Sequence, residues 1–77
     1  MKLHEIQVST YSGYKADERP RAFFLHGKKY VIKEIVNQAC VEMLGRGFWR
    51  RYIVKTDEEL TYTLLYNEGQ DQWFLEV

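Results

Sequence analysis

Hydrophobic and polar residues alternate with a period of two along most of this chain, which is the repeat of a half-buried β-strand. Ile6-Gln7-Val8-Ser9-Thr10-Tyr11 alternates and is rich in β-branched residues, so it reads as a first strand. Ser12-Gly13-Tyr14 breaks it, and the charged run from Lys15 to Pro20, the chain's one proline, is a loop. Arg21 to Leu25 is a short second strand, and His26-Gly27-Lys28-Lys29 is a tight connection in which glycine supplies a positive φ. Tyr30 to Val36 is the third strand, Phe48 to Lys55 the fourth, Thr61 to Tyr66 the fifth and Gln72 to Val77 the sixth, with loops at 56–60 and 67–71.

The stretch 36–44 breaks the alternation. Val36, Ala39, Cys40, Met43 and Leu44 fall at helical intervals and Gly45 stands where a helix would end, so the spacing predicts a short helix. A strand running on from the third is the rival. Short loops between successive strands make neighbours antiparallel, hence a meander. The expected fold is therefore mainly β: one small domain over 1–77, about six antiparallel strands in a curled sheet or SH3-like barrel, with that helix appended.

Alternation also sorts the side chains onto two faces. Phe23, Leu25, Tyr30, Ile32, Tyr52, Val54, Tyr62, Leu64, Tyr66, Trp73 and Leu75 share one, the predicted core. Its tyrosines can keep their hydroxyls near the barrel ends, where a partner is available. The other face of an exposed antiparallel sheet is normally polar. Here it carries Phe24, Val31, Ile53, Leu65 and Phe74, with Trp49 at one end and the cations Lys33, Arg51 and Lys55 among them. Three covers fit such a face: the helix 36–44, a second copy of the chain in a homodimer, or a ligand. The ligand reading makes Phe24, Lys33, Trp49, Arg51, Lys55 and Phe74 a binding platform, with rings stacking on the bases of a single-stranded nucleic acid and cations meeting its phosphates. The alternative is a protein-interaction or self-associating module using the same apolar face. The exposure of Trp49 and Phe74 discriminates, because buried rings favour a purely structural role.

Charge sharpens this picture. Residues 1–55 hold all eleven Lys and Arg and five acids, whereas the last 22 residues hold six acids and no base, although the net charge is zero. A split like this suggests a basic face or an acidic tail. A meander folds the split back on itself: the loop 26–29 and the loop 56–60 fall at one end, setting His26, Lys28 and Lys29 near Asp57, Glu58 and Glu59. At the other end Glu68 and Asp71 meet Lys15, Arg19 and Arg46. Lys33, Arg51 and Lys55 are then the cations left on the second face.

A chain of 77 residues buries roughly 60–65% of its unfolded surface and has a stability of about 4–12 kcal/mol. One cysteine, Cys40, excludes an internal disulfide and points to a reducing cytosol. No apolar run approaches the roughly 18–20 residues of a membrane span, and the N-terminus lacks the pattern of a signal peptide. His4, His26 and Cys40 have no metal-ligand spacing, so neither metal nor cofactor is expected. Cys40 on an apolar stripe reads as a small hydrophobe rather than a nucleophile. Glu58-Glu59 lies in a loop with no apolar wall to raise a pKa, and the glycines form no phosphate-binding loop. Arg50 and Arg51 point to opposite faces of a strand and make no single patch. These readings argue against an enzyme. The loop 12–21, which mixes turns with alternating charge, is a second place for recognition.

Gly13-Tyr14, Glu18-Arg19-Pro20-Arg21, Phe23, Gly27, Tyr30, Ile32 and Glu34-Ile35, followed by Lys55-Thr56-Asp57, Tyr62, Leu64, Tyr66 and Trp73, form a pattern over most of the chain. It resembles a family of short bacterial proteins of uncharacterised function. A related segment stands at the C-terminal end of some Y-family, lesion-bypass DNA polymerase-like proteins. The resemblance implies a DNA-repair accessory role by association alone. Residues 37–47 depart from the pattern, where a shorter, more aromatic connection is expected, and no functional residue carries over.

Overall fold

Six β-branched and aromatic segments separated by turn residues fold into six strands. In the computed structural model, which describes residues 2–10, 19–43, 45 and 47–77, these are β1 (Leu3–Thr10), β2 (Pro20–Leu25), β3 (Lys28–Met43), β4 (Gly47–Thr56), β5 (Thr61–Asn67) and β6 (Gln72–Glu76). Each pairs antiparallel with the next, and β6 pairs with β1, so the meander closes into a barrel in the order β1-β2-β3-β4-β5-β6. The turns supply the needed chirality. His26 and Gly27 both take positive φ, 52° and 79°, which matches the twist of a two-residue hairpin.

Two strands serve both sides of the barrel. Leu3–Ile6 of β1 pairs with β6, whereas Gln7–Thr10 pairs with β2. Lys28–Val31 of β3 pairs with β2, whereas Ile32–Met43 pairs with β4. β3 changes neighbour through two irregularities in which Lys33 and Val36 are the extra residues. Such bulges bend a strand and sharpen its twist.

Inside, Ile6, Phe23, Tyr52, Val54, Leu64, Trp73 and Leu75 form the buried cluster, with Val8, Leu25, Tyr30, Ile32, Ile35, Tyr62 and Tyr66 packed against it. Every residue of the predicted core is here. Phe23 is its centre, stacked on Tyr30 with ring centroids 5.1 Å apart and edge-on to Tyr62 at 5.2 Å. Tyr66 lies over Trp73 at 4.7 Å and its hydroxyl donates to Asp71 Oδ1 at 2.7 Å, so this phenol is satisfied at the barrel's rim.

The helix expected over 36–44 is not formed. β3 runs unbroken to Met43, and together with β4 it makes a hairpin arm reaching past the last β2 pairing at Val31. Val36, Ala39 and Cys40 lie instead on one extended strand, Val36 as an extra residue of a bulge, and all three are exposed. With Lys33 and Val36 inserted, the residues opposite Thr56, Val54 and Tyr52 on the inner face are Ile32, Ile35 and Gln38. Across the bulges the inward positions of β3 recur every third residue, which breaks its period of two.

Candidate functional site

The six residues expected to form a platform lie on the outer face, but they divide into separate settings. Trp49 on β4 is only 4% exposed. Its ring leans on half-buried Phe74 of β6 at 5.3 Å, and Leu65, directly opposite Phe74 on β5, is 2% exposed. The three make a small apolar cluster outside the barrel wall, and its rings are largely used in packing. Phe24 stands elsewhere, on β2 between Gln7 and Lys29, and is exposed.

The cations divide likewise. Lys33 Nζ is 2.7 Å from Glu59 Oε1 and Lys55 Nζ is 3.1 Å from Glu59 Oε2, so one carboxylate bridges both. The hydrogen bond from Lys33 and then that from Lys55 hold the Glu59 pKa below its usual range. Lys33 and Lys55, which the sequence leaves unpaired, thus share one carboxylate, and the three groups together keep one net positive charge. Arg51 sits half-buried opposite Leu65. The charge fold-back occurs as the meander requires: Lys28 meets Glu58 at 3.0 Å across loops that the sequence places at one end. Glu68 pairs with Arg50 at the other. Lys15 and Arg46 lie outside the described residues, as does most of the loop 12–21.

The β3–β4 arm is the surface that sequence reasoning missed. Beyond Val31, β3 has β4 on one side and no strand among the described residues on the other. Its side chains from Val36 to Cys40 are all exposed. Val36 at 54% and Phe48 at 68% are large hydrophobic residues of the arm left exposed. On the inner side, where Gln38 faces Tyr52 and Cys40 faces Arg50, an open groove of about 190 Å³ is lined by Gln38, Ala39, Cys40, Arg50 and Tyr52. Hydrogen bonding to Tyr52 and the nearby Glu68 carboxylate raise the Arg50 pKa above its ordinary value, and Glu68 balances the charge of this rim. The sequence signal for the arm was the β-branched pair Ile35-Val36, which carries the strand pattern of the third strand into the stretch 36–44.

Among the described residues no group of three or more His, Cys, Asp and Glu is gathered as for a metal ion, and no helix is long and apolar enough to cross a membrane. Cys40 is a free, exposed thiol rather than a buried hydrophobe, because the extended strand carries it past the barrel. No protein-family model, no curated protein and no solved structure matches the chain. The residues that carry the family resemblance include core positions (Phe23, Tyr30, Ile32, Ile35, Tyr62, Leu64, Tyr66, Trp73) and the turn residue Gly27.

Proposed function

We propose that this protein is a non-catalytic binding module of the cytoplasm, a small SH3-like barrel that presents its β3–β4 arm to another polypeptide. The observation that carries the reading is the arm itself. A long strand whose second edge no described residue pairs, with exposed Val36 and Phe48 beside it, is a surface that soluble proteins normally cover or blunt. Interfaces use such exposed aromatic residues as anchors. The nucleic-acid platform is the less favoured reading. Trp49 is engaged in packing, and Lys33 and Lys55 are held by Glu59. Stacking platforms need open rings, and phosphate contacts need free cations.

The test is selection of displayed peptides on the wild-type protein, followed by comparison with a Val36→Asp/Phe48→Asp variant shown by circular dichroism to be folded. Selected peptides bind the wild type and lose most of their affinity for the variant. Equal binding to both proteins refutes a role for the arm. Salt-sensitive binding of single-stranded oligonucleotides, with no selectable peptide, returns the function to nucleic acid.

A further inference from the structure

We propose that the arm takes its partner as an added β-strand, and that this partner is an extended segment of another protein with an apolar residue at its centre and Lys or Arg toward both ends. The inference rests on the interaction-module reading above and specifies its ligand.

Three observations converge on residues 34–42. The first is the open edge. From Ile32 to Met43 only β4 pairs with β3 among the described residues. Backbone N–H and C=O groups along a strand require hydrogen-bond partners, and the shape that supplies them in register is another extended backbone. The second is the groove. Gln38, Ala39 and Cys40 of the edge strand line it, with Tyr52 and Arg50 behind. The small side chains of Ala39 and Cys40 leave its outer side low. A strand laid along this edge sends alternate side chains to the inner face, and about 190 Å³ of open space accepts one of valine or leucine size. Backbone pairing then gives affinity, and the groove gives selectivity.

The third is charge. The run from Val36 to Val41 carries no charge, and exposed Glu34 and Glu42 flank it. Neither is in a salt bridge with another described residue, the acids so engaged being Glu58, Glu59 and Glu68; Glu34 stands opposite Lys55 and its charge acts on Lys33, so Glu42 is the acid farther from a cation. A strand with basic residues toward both ends complements this pattern. A second copy does not. Pairing the edge antiparallel on itself about its midpoint, Gln38, sets each Glu34 against Glu42 of the other copy. Like charges opposite one another destabilise a ladder.

The test uses the whole isotope-labelled protein and short synthetic peptides of alternating Thr and Val. One series ends in Lys, one in Glu, and one repeats the Lys series with alternate backbone nitrogens methylated. The Lys-ended peptide should shift the amide resonances of 34–42, 50 and 52 and slow hydrogen exchange over 36–41. The Glu-ended peptide should bind about tenfold more weakly. The methylated peptide should not bind, because it cannot complete the ladder. Glu34→Lys combined with Glu42→Lys should reverse the preference between Lys and Glu ends. Equal binding of the methylated peptide overturns strand addition while leaving a side-chain docking role for the arm intact. A dimer in light scattering, with edge amides protected before any peptide is added, overturns the choice of partner in favour of a second copy. A monomer unperturbed by millimolar Lys-ended peptide overturns the inference altogether, and the broader reading then stands or falls on peptide selection.

Discussion

Replacing Thr56 by valine removes one oxygen atom from a place where three hydrogen bonds meet. Thr56 ends β4 and, at 1% exposed, is the buried polar side chain of the described residues. Its N–H donates to the Leu60 carbonyl at 2.8 Å, its own carbonyl accepts from the Glu59 N–H at 2.9 Å, and its Oγ1 accepts from the Leu60 N–H at 3.3 Å. The last of these depends on the hydroxyl. Valine keeps the shape and leaves the Leu60 N–H without its acceptor. That donor is part-buried, so water replaces the bond incompletely. The expected cost is about 1–2 kcal/mol, between the net value of a hydrogen bond and the penalty for a stranded donor. For a domain of about 4–12 kcal/mol, each kcal/mol lowers Tm by about 4–8 °C. Thr56→Ser is the control. It keeps the oxygen and loses a methyl, at about 1 kcal/mol or somewhat more where a cavity remains. Stability alone does not separate the two variants, but hydrogen exchange does: the Leu60 amide exchanges faster in Thr56→Val and at the wild-type rate, corrected for global stability, in Thr56→Ser. Urea denaturation gives the energies, with an unchanged slope. A Thr56→Val variant with wild-type stability and wild-type Leu60 exchange refutes the reasoning.

Phe23→Ala empties the centre of the barrel, where Phe23 is fully buried between Tyr30 and Tyr62; it should cost about 3–5 kcal/mol, and an unchanged urea midpoint contradicts the core assignment. Because Lys33 and Lys55 lower the Glu59 pKa, the contribution of that carboxylate is full above its unfolded pKa and disappears as pH falls through the lower folded one. Glu59→Gln should therefore be the less stable protein at neutral pH, and the gap in urea midpoints should close on acidification; a gap independent of pH contradicts the bridge. Burial, then the neighbouring Tyr30, raises the Tyr62 pKa above 10.0. Absorbance titration of the phenols should show a late step that vanishes in Tyr62→Phe, and the stability Tyr62 confers is full below its unfolded pKa and lost as pH rises toward the folded one.

Much of the fold was legible because strands report their inner face every second residue. Tyr52, Val54, Leu64 and Leu75 are buried where alternation puts them, and the meander made Lys28 and Glu58 neighbours across thirty residues of chain. Ile6, Val8 and Ile35 also belong to the core. Ile35 breaks the period because the bulge at Lys33 shifts the phase of β3, and a fixed period misassigns the residues between that shift and the second bulge at Val36, which restores the phase. The candidate site was less legible for a related reason. A period count places Trp49 and Phe24 on one face, but a closed barrel wraps that face around itself and separates them by whole strands. Whether a lysine is spare depends on a contact such as Lys33 with Glu59, which needs the strained turn conformation of Glu59, φ 65°, and no one-dimensional pattern contains it.

The barrel is sealed by its first and last strands: Val77 N–H donates to the Lys2 carbonyl at 2.9 Å, and Lys2 N–H donates back to the Val77 carbonyl at 3.4 Å. Chain therefore enters and leaves the domain at a single point. A unit built this way can be spliced into a surface loop of a larger protein without prising that loop apart, and its two flanking chains would stay side by side. It also has a late folding event. The most sequence-distant pairing is the one that closes the wall, so five hairpin steps can precede it but none can replace it. Until Trp73 to Glu76 dock on Leu3 to Ile6, the nascent barrel is an open sheet with its core exposed to solvent.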